Sequence, residues 1–176
     1  NSVCYSQENL MLKAEQFLFM PVSNAYTKRE LVSNYHRVQM LELVTCKYPN
    51  ASICKLEIDD TDYLGTYQSL IRLSDKYDCE ISFVIGADNL LNMEKWINIE
   101  GILREFKIIV LGRNGIDIED VISHNALLNK HRDSFIVFND FKVDISSTSF
   151  RHTFDVTQVD PDVYEYIKRN DLYRGE

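Results

Sequence analysis

Hydroxyl residues and an arginine cluster near the C-terminal end of the sequence. Ser146, Ser147 and Thr148 are adjacent, and Arg151 follows one helical turn later. Serine and threonine favour the N-cap of a helix, and a helix N-terminus offers free N–H groups and a favourable dipole to a phosphate. An arginine adds further donors. The cluster predicts a phosphate-binding turn, with a plain helix cap beside a surface arginine as the alternative.

Three further candidates follow apolar runs elsewhere in the chain. Asp88, two residues after Gly86, has a carboxylate that could accept hydrogen bonds from ribose hydroxyls, or it could cap a helix. Trp96, the one tryptophan, could stack on a heterocycle, although core packing is the usual role of tryptophan. Arg113 suits either a phosphate contact or the surface. Together these polar, glycine-bearing and aromatic segments suit a nucleotide ligand.

The elements that position these residues alternate between short β-type runs and helical segments. Apolar runs predict strands within residues 16–21, 52–58, 80–86, 107–112 and 134–139. Three of these runs are almost continuously apolar, which is typical of strands covered on both faces. Such alternation predicts a single α/β domain with a mainly parallel sheet, in which ligands bind beyond the carboxyl ends of the strands.

The second run differs from the others. Cys54, Leu56 and Ile58 alternate with charged residues, which predicts a half-exposed strand nearer the edge of the sheet. Helices are expected wherever apolar residues recur every three or four positions. The expected helical segments are 35–48, with Ser33 as N-cap, then stripes at 70–77, 99–106 and 118–128, a final helix at 161–170, and an opening helix at 2–14.

Composition excludes several classes of function. The 19 basic and 27 acidic residues give a net charge of −8, which disfavours general binding to nucleic acid. No apolar run approaches the roughly 20 residues of a membrane span. The four cysteines include no Cys-x-x-Cys pair, so we expect reduced, mostly buried thiols in a cytoplasmic protein. His124 and His131 lack partners at metal-ligand spacing, so no protein-held metal is expected.

Read together, these segments resemble the bacterial nicotinate-nucleotide adenylyltransferases of the Rossmann-like nucleotidyltransferase superfamily. The resemblance covers nearly the whole chain, and its most specific part is Gly86-Ala-Asp88 with Trp96, followed by Ile145-Ser-Ser-Thr-Ser-Phe-Arg151. The other matching segments are Phe19-Met-Pro21 with Lys28, His36-Arg-Val-Gln-Met-Leu41, Thr66-Tyr-Gln-Ser-Leu70 and Val163–Tyr173.

The resemblance implies a fold and a reaction. The fold is a Rossmann-like α/β domain over residues 1–176, with a mainly parallel sheet and helices on both faces. The reaction joins nicotinate mononucleotide to the AMP part of ATP, releases pyrophosphate and uses Mg²⁺ with ATP. Such enzymes act by aligning reactants and neutralising phosphate charge, without a covalent protein intermediate.

Residue roles follow from the matching positions only. Gly86 and Asp88 would face the adenosine ribose, and Ser147, Thr148 and Arg151 would hold the ATP phosphates. Thr66 and Trp96 would contact the pyridine nucleotide, Trp96 by stacking. Lys28 and Arg113 would contribute positive charge near the phosphates.

The sequence departs from the family pattern in three places. The family's first strand ends in a histidine motif, G-G-[ST]-F-x-P-x-H-x-x-H, that carries much of the catalysis and is absent here. We expect that the sequence begins after this motif, because a sheet without that central strand would expose two unpaired edges. Thr27 stands where the family often has histidine, and Gln68 where it has aspartate.

Several alternatives stay open. The acceptor could instead be nicotinamide mononucleotide or pantetheine phosphate, although Trp96 and the final helix disfavour the latter. A nucleotide-binding module without catalysis fits if the histidine motif is truly absent. The helical faces look ordinary, so the sequence does not decide between a monomer and a homo-oligomer.

Overall fold

The computed structural model describes residues 14–24, 31–60, 62, 64–139 and 147–173, with the backbone alone at 147–149. The chain forms two compact units. The terminal unit comprises Asn1–Tyr63 with Ile145–Glu176, and the central unit comprises Leu64–Asp144. The single domain expected from the sequence stays a prediction, and each unit is described by itself.

Short parallel strands alternate with helices along the chain. The strands and α-helices are, in chain order, β1 (Phe17–Phe19), α1 (Asn34–Thr45), β2 (Ala51–Ile53), α2 (Leu56–Asp59), α3 (Thr66–Tyr77), β3 (Ser82–Gly86), α4 (Ile99–Glu105), β4 (Lys107–Leu111), α5 (Ile118–His124), α6 (Ala126–Lys130), β5 (Phe135–Phe138), α7 (Ser147–Thr153) and α8 (Pro161–Arg169). Three 3₁₀ helices span Ala87–Lys95, Arg132–Ser134 and Val156–Gln158. The predicted α/β class with parallel strands is confirmed.

A three-stranded parallel sheet, in the order β3-β4-β5, forms the centre of the central unit. In its middle strand the consecutive residues from Ile108 to Leu111 are all buried. Successive side chains of a strand point to opposite faces, so both faces of β4 are covered. Apolar residues of α3, α4, α5, α6 and the 3₁₀ helix Ala87–Lys95 pack with the strands in one core cluster.

The apolar stripe over 118–128 belongs to two helices, where the sequence predicted one. The break is at Asn125, whose side-chain oxygen accepts hydrogen bonds from the N–H groups of Leu127 and Leu128. Asn125 is therefore the N-cap of α6 and ends the helical geometry of α5. Ile118, Ile122 and Leu128 still share the core, which explains why periodicity alone suggested a continuous helix.

The terminal unit contains a smaller sheet. β1 and β2 pair in parallel over three residues each, from Phe17 with Ala51 to Phe19 with Ile53. Ser33 is the N-cap of α1 as predicted, since its hydroxyl accepts a hydrogen bond from the N–H of His36. A cluster of apolar residues from α1, α7, α8 and the segment after α8 forms the core of this unit: Val44, Phe150, Val163, Ile167 and Leu172.

The strand predicted over 52–58 is wrong in its second half. The Cys54 N–H still bonds the Phe19 carbonyl at 2.9 Å, but β1 ends at Phe19 and offers no further partner. The chain then turns into α2, and Glu57, expected to face solvent, is only 4% exposed. The alternating pattern reflects one helical turn with a buried carboxylate.

Two further expectations concern cysteines and membranes. Among the described residues Cys46, Cys54 and Cys79 are free thiols. Only Cys54 is buried, so the expectation of mostly buried thiols is wrong for the described cysteines. No helix in the described ranges is long and apolar enough to cross a bilayer. The helix predicted at 2–14 lies outside the described residues.

Candidate active site

The carboxyl ends of β3 and β4 lie side by side in the central unit. The register pairs Gly86, the last residue of β3, with Leu111, the last residue of β4. The 3₁₀ helix that carries Asp88 starts directly after Gly86, and Arg113 follows β4 by two residues. Parallel pairing therefore brings the predicted residues Gly86, Asp88 and Arg113 to one edge of the sheet, as the sequence led us to expect.

Gly86 lies beneath the side chains of Asp88 and Arg113. A Cβ atom at position 86 would lie 2.6 Å from Asp88 Oδ1, 3.5 Å from Arg113 Cδ and 3.6 Å from Arg113 Nη1. A side chain at position 86 would therefore displace the Asp88 carboxylate, and the glycine lets this carboxylate fold back over the strand end. The Asn89 amide donates a hydrogen bond to the Gly86 carbonyl at 3.3 Å and supports this turn.

The Asp88–Arg113 pair leaves hydrogen-bonding capacity unused. Arg113 Nη1 lies 3.8 Å from Asp88 Oδ1, too long for a hydrogen bond. Within the described ranges, Asp88 Oδ1 and Arg113 Nε are buried and have no hydrogen-bond partner. Buried polar atoms are nearly always paired, so such atoms call for an explanation. An acceptor and a donor together at the strand ends are suited to a polar ligand such as a nucleotide.

Trp96 and Thr66 form a second group in the same unit. Trp96 is half-buried, and its ring packs edge-on against Phe83, with ring centroids 6.1 Å apart. Thr66 is the first residue of α3, whose N-cap, Gly65, provides no side-chain hydrogen bond. Gly65 lies directly on Ile97, since a Cβ atom at position 65 would be 3.1 Å from the Ile97 Cβ. The structure thus places the start of α3 against the segment that begins at Trp96.

A hydrogen-bonded trio beside this second group was missed by the sequence analysis. The Tyr67 hydroxyl donates to both carboxylate oxygens of Glu105, at 3.2 and 3.1 Å, and Arg104 Nη2 donates to Glu105 Oε1 at 2.6 Å. The hydrogen bond from Arg104 lowers the pKa of Glu105, whereas burial and the Glu105 carboxylate raise the pKa of Tyr67. Since Tyr67 and Glu105 lie on different helices, no spacing in the sequence signals their pairing.

The remaining predicted residues belong to the terminal unit. Ser147 is the first residue of α7, so Ser147 and Thr148 fall in its first turn as expected; their side chains lie outside the described residues. Arg151 is half-buried on the same helix. Phe150, 4% exposed, anchors α7 in the core of the terminal unit. Lys28 and Thr27 lie outside the described residues, and Gln68 is exposed on α3.

A polar network in the terminal unit was also missed. Arg37, the arginine of the His36–Leu41 segment, donates to the side-chain oxygens of Asn24 at 2.6 Å and Asn34 at 2.5 Å. Its Nε donates to the Val32 carbonyl at 3.2 Å. Burial lowers the pKa of Arg37. The network links Asn24 to Val32, Asn34 and Arg37, which follow residues 25–30 in the sequence. That stretch of sequence includes Lys28.

A cavity of about 450 Å³ lies at the opposite edge of the central sheet. It is lined by residues near the amino ends of β3 and β4, namely Ser74, Asp78, Cys79, Glu80, Ile81, Ser82, Arg104, Glu105, Phe106, Lys107 and Ser134. None of the predicted site residues lines it. Its two basic groups are already engaged, Arg104 with Glu105 and Lys107 with the Asp133 carbonyl. The carboxyl ends of the strands are therefore the better candidate site.

Side chains that could form a metal site are not clustered in the described part of the chain. No group of three or more histidine, cysteine, aspartate or glutamate residues there could hold an ion. Mg²⁺ is commonly held by substrate phosphates with only one or two carboxylates from the protein.

The chain as a whole is similar to proteins of one family. The profile of the cytidylyltransferase-like family matches residues 9–153. A probable nicotinate-nucleotide adenylyltransferase of Carboxydothermus hydrogenoformans is 32% identical, covering 92% of this chain and 85% of the relative. Its counterpart in Acholeplasma laidlawii is 29% identical, covering 92% of this chain and 83% of the relative.

Solved structures give the same fold. Nicotinic acid mononucleotide adenylyltransferase of Plasmodium falciparum, complexed with APC, superposes with a TM-score of 0.73 at 16% identity. The same enzyme complexed with NaAD superposes with a TM-score of 0.69 at 17% identity. Both comparisons cover 93% of this chain and 85% of the other. At such identities the likeness concerns the fold alone.

Proposed function

The chain belongs to the cytidylyltransferase-like family and, within it, to the nicotinate-nucleotide adenylyltransferases, and we propose on that basis that it makes nicotinate adenine dinucleotide from nicotinate mononucleotide and ATP. A phosphate oxygen of the mononucleotide attacks the α-phosphorus of ATP. The bond from that phosphorus to the oxygen bridging to the β-phosphate breaks, and pyrophosphate leaves with the electron pair. The enzyme thus serves NAD biosynthesis.

The observation in the structure that best supports this proposal is the pair of unsatisfied polar atoms over Gly86. Asp88 Oδ1 and Arg113 Nε are buried without a hydrogen-bond partner among the described residues. They lie at the carboxyl ends of adjacent parallel strands, where α/β folds bind nucleotides. A ribose hydroxyl could donate to Asp88 Oδ1, and a ribose or phosphate oxygen could accept a hydrogen bond from Arg113 Nε.

The ATP side is proposed from the matching motif positions. Gly86 and Asp88 would face the adenosine ribose, the glycine by allowing close approach and the aspartate by accepting hydroxyl hydrogen bonds. Ser147, Thr148 and Arg151 would hold the phosphates at the start of α7. Hydroxyls, backbone N–H groups and a guanidinium together suit a triphosphate.

The pyridine side is proposed at the junction of α3 with the Trp96 segment. Trp96 is half-buried and fixed by the edge of Phe83, which suits a ring that stacks on a heterocycle. Thr66 stands at the N-terminus of α3, where its hydroxyl and the free N–H groups could bind a polar substituent. Arg113, and Lys28 from outside the described residues, would add positive charge near the mononucleotide phosphate.

Catalysis is proposed to arise from alignment and charge neutralisation. Both reactants are anionic, so basic residues lower the repulsion between the attacking phosphate and ATP. Holding the attacking oxygen in line with the leaving group converts a bimolecular step into an intramolecular one. Mg²⁺ bound to the triphosphate would neutralise charge on the leaving pyrophosphate.

The test is pyrophosphate release by the full-length protein supplied with ATP and Mg²⁺. We expect turnover with nicotinate mononucleotide and much less with nicotinamide mononucleotide or pantetheine phosphate. Faster turnover with either of those two would reassign the acceptor. No turnover with any of them would overturn the enzyme function and leave a nucleotide-binding module, which nucleotide titration would then detect.

A substitution tests the proposed stacking. Trp96→Ala should raise the KM for the mononucleotide on the order of tenfold, because loss of a stacked aromatic ring costs about 1–3 kcal/mol per base. The KM for ATP should change by less than about twofold. Trp96→Phe keeps an aromatic face and should restore much of the binding. An equal rise in both KM values would contradict stacking.

A further inference from the structure

Tyr67 is fixed at both ends of its side chain. Its ring lies on Gly101 of α4, where a Cβ atom would be only 2.7 Å from Tyr67 Cε2. Its hydroxyl donates to both carboxylate oxygens of Glu105, one helical turn further along α4. Arg104 holds the same carboxylate. A half-buried tyrosine clamped in this way has little freedom to move relative to α4.

The space over Gly101 is shared with the turn that follows Trp96. The Asn98 side-chain nitrogen would also lie 2.7 Å from a Cβ atom at position 101. Asn98 has a φ of 52°, in the left-handed region that asparagine tolerates better than most residues, and it precedes α4 as its N-cap. Tyr67 and Asn98 therefore both pack into the space that only a glycine at 101 leaves open.

A second contact joins the same two segments. Gly65, with a φ of 86°, lies on Ile97, where a Cβ atom would be 3.1 Å from the Ile97 Cβ. Thr66 stands between Gly65 and Tyr67, and Trp96 precedes Ile97. The start of α3 is thus held on the Trp96 segment on both sides of Thr66.

We propose that Tyr67 is a positioning residue, which holds Thr66 at a fixed separation from Trp96 through its contacts with Gly101 and Glu105. This inference rests on the proposed function, which assigns Thr66 and Trp96 to the pyridine mononucleotide. Tyr67 acts through Thr66 and makes that half of the site ready before the ligand arrives. Preorganisation of this kind strengthens binding by reducing the ordering required.

The substitution Tyr67→Phe isolates the hydroxyl group. The ring stays on Gly101, but the hydrogen bonds to Glu105 are lost. We expect the dissociation constant for nicotinate mononucleotide to rise roughly three- to five-fold, because the start of α3 must then be ordered on binding and is no longer held in advance. The KM for ATP and kcat should change by less than about twofold, because those depend on other residues.

The readout can be independent of turnover. Trp96 is the one tryptophan of the sequence, so quenching of its fluorescence by the mononucleotide reports binding at this subsite directly. The matched control is Tyr77→Phe on the same helix, since the Tyr77 hydroxyl makes no hydrogen bond within the described part of the chain; it should bind like the wild type. Glu105→Ala should weaken binding as Tyr67→Phe does, and the double variant should be no weaker than either single variant.

The possible results of these binding measurements distinguish the subsite from the positioning role. Wild-type protein that shows no quenching by the mononucleotide would overturn the proposed subsite, and the positioning role with it. Normal quenching with an unchanged dissociation constant in Tyr67→Phe would overturn the positioning role alone. A fall in kcat, in ATP affinity and in thermal midpoint together would show a general structural role and would also overturn the proposal.

Discussion

Different forces stabilise the interior of each of the two units. In the central unit the middle strand β4 has four consecutive buried residues, Ile108 to Leu111, and helices pack against the sheet through apolar side chains. In the terminal unit β1 and β2 have three residues each, all only half-buried. The central unit has the larger apolar core and also carries the Tyr67–Glu105–Arg104 contacts, whereas the smaller apolar core of the terminal unit leaves more of its stability to polar contacts.

Polar side chains supply those contacts around α8. Lys47 Nζ binds Asp160 at 2.7 Å and Asp162 at 2.6 Å, which ties the end of α1 to the start of α8. His36 Nδ1 lies 2.8 Å from the Tyr166 hydroxyl, which ties the two helices a second time. Apolar burial does not depend on protonation or on the screening of charges, whereas ionic contacts depend on both. The two units should therefore respond differently to the same perturbations.

The largest expected effect is in the central core. Ile108→Ala removes a fully buried side chain from β4 and should lower the free energy of unfolding by about 3 kcal/mol, through lost burial and a cavity. Urea denaturation followed by Trp96 fluorescence would measure it. Ile136→Ala on the neighbouring strand, where the side chain is 38% exposed, should cost less than about 1 kcal/mol. Similar losses in both variants would contradict a core held by burial.

A backbone contact in the central unit should give the next largest effect. At Gly112 a Cβ atom would lie 2.7 Å from the Asn139 carbonyl oxygen and 3.1 Å from that of Phe138. These are backbone atoms, which cannot move aside as the end of a flexible side chain can. Gly112→Ala should cost about 2 kcal/mol through overpacking. Gly115→Ala meets no atom within 4 Å but has a φ of 65°, so it should cost about 1 kcal/mol from backbone strain alone. A greater loss at 115 in urea titrations would show that strain outweighs this contact.

The same contrast explains what the sequence could predict. Strand β4 was predictable because burial on both faces selects a continuous apolar run, as in Ile108–Leu111. Strands β3 and β5 were predictable from similar apolar runs, although β5 leaves Ile136 exposed. Helix α2 was not predictable, because a stretch of four residues fits the period of a strand as well as that of a helix. Whether the chain continued as a strand depended on where its partner β1 ends. A buried carboxylate such as Glu57 cannot be inferred from a pattern that treats charge as exposure.

The residues of the candidate site also fall into those that the sequence could predict and those that it could not. Gly86, Asp88 and Arg113 were predictable since parallel pairing brings strand ends together whatever the details of packing. The contact of Tyr67 with Glu105 was not, because the partners are far apart in sequence and both residue types are common on surfaces. Such tertiary contacts depend on the angle between two helices, which local sequence does not encode.

The smallest effect is expected at the polar contact of the terminal unit, and it should depend on pH. Asp160 caps α8 by accepting a hydrogen bond from the N–H of Asp162 at 2.9 Å. Asp160→Ala should therefore cost about 1 kcal/mol near neutral pH. Asp160→Asn is the matched control, because asparagine also caps helices but cannot pair with Lys47. Its loss should be smaller than that of the alanine variant.

The acid dependence separates the charge from the cap. Burial alone would raise the pKa of Asp160, but hydrogen bonds from Lys47 and from the N–H of Asp162 outweigh it and lower the pKa. A lowered pKa in the folded state means that the stabilisation is present above the ordinary value of about 4 and is lost as the pH falls through the folded value. Wild type should thus lose more stability than Asp160→Asn between pH 7 and pH 3, and the two should converge at the acid end. Parallel pH profiles of the urea midpoint would show that the charge on Asp160 contributes nothing, and the terminal unit would then resemble the central one.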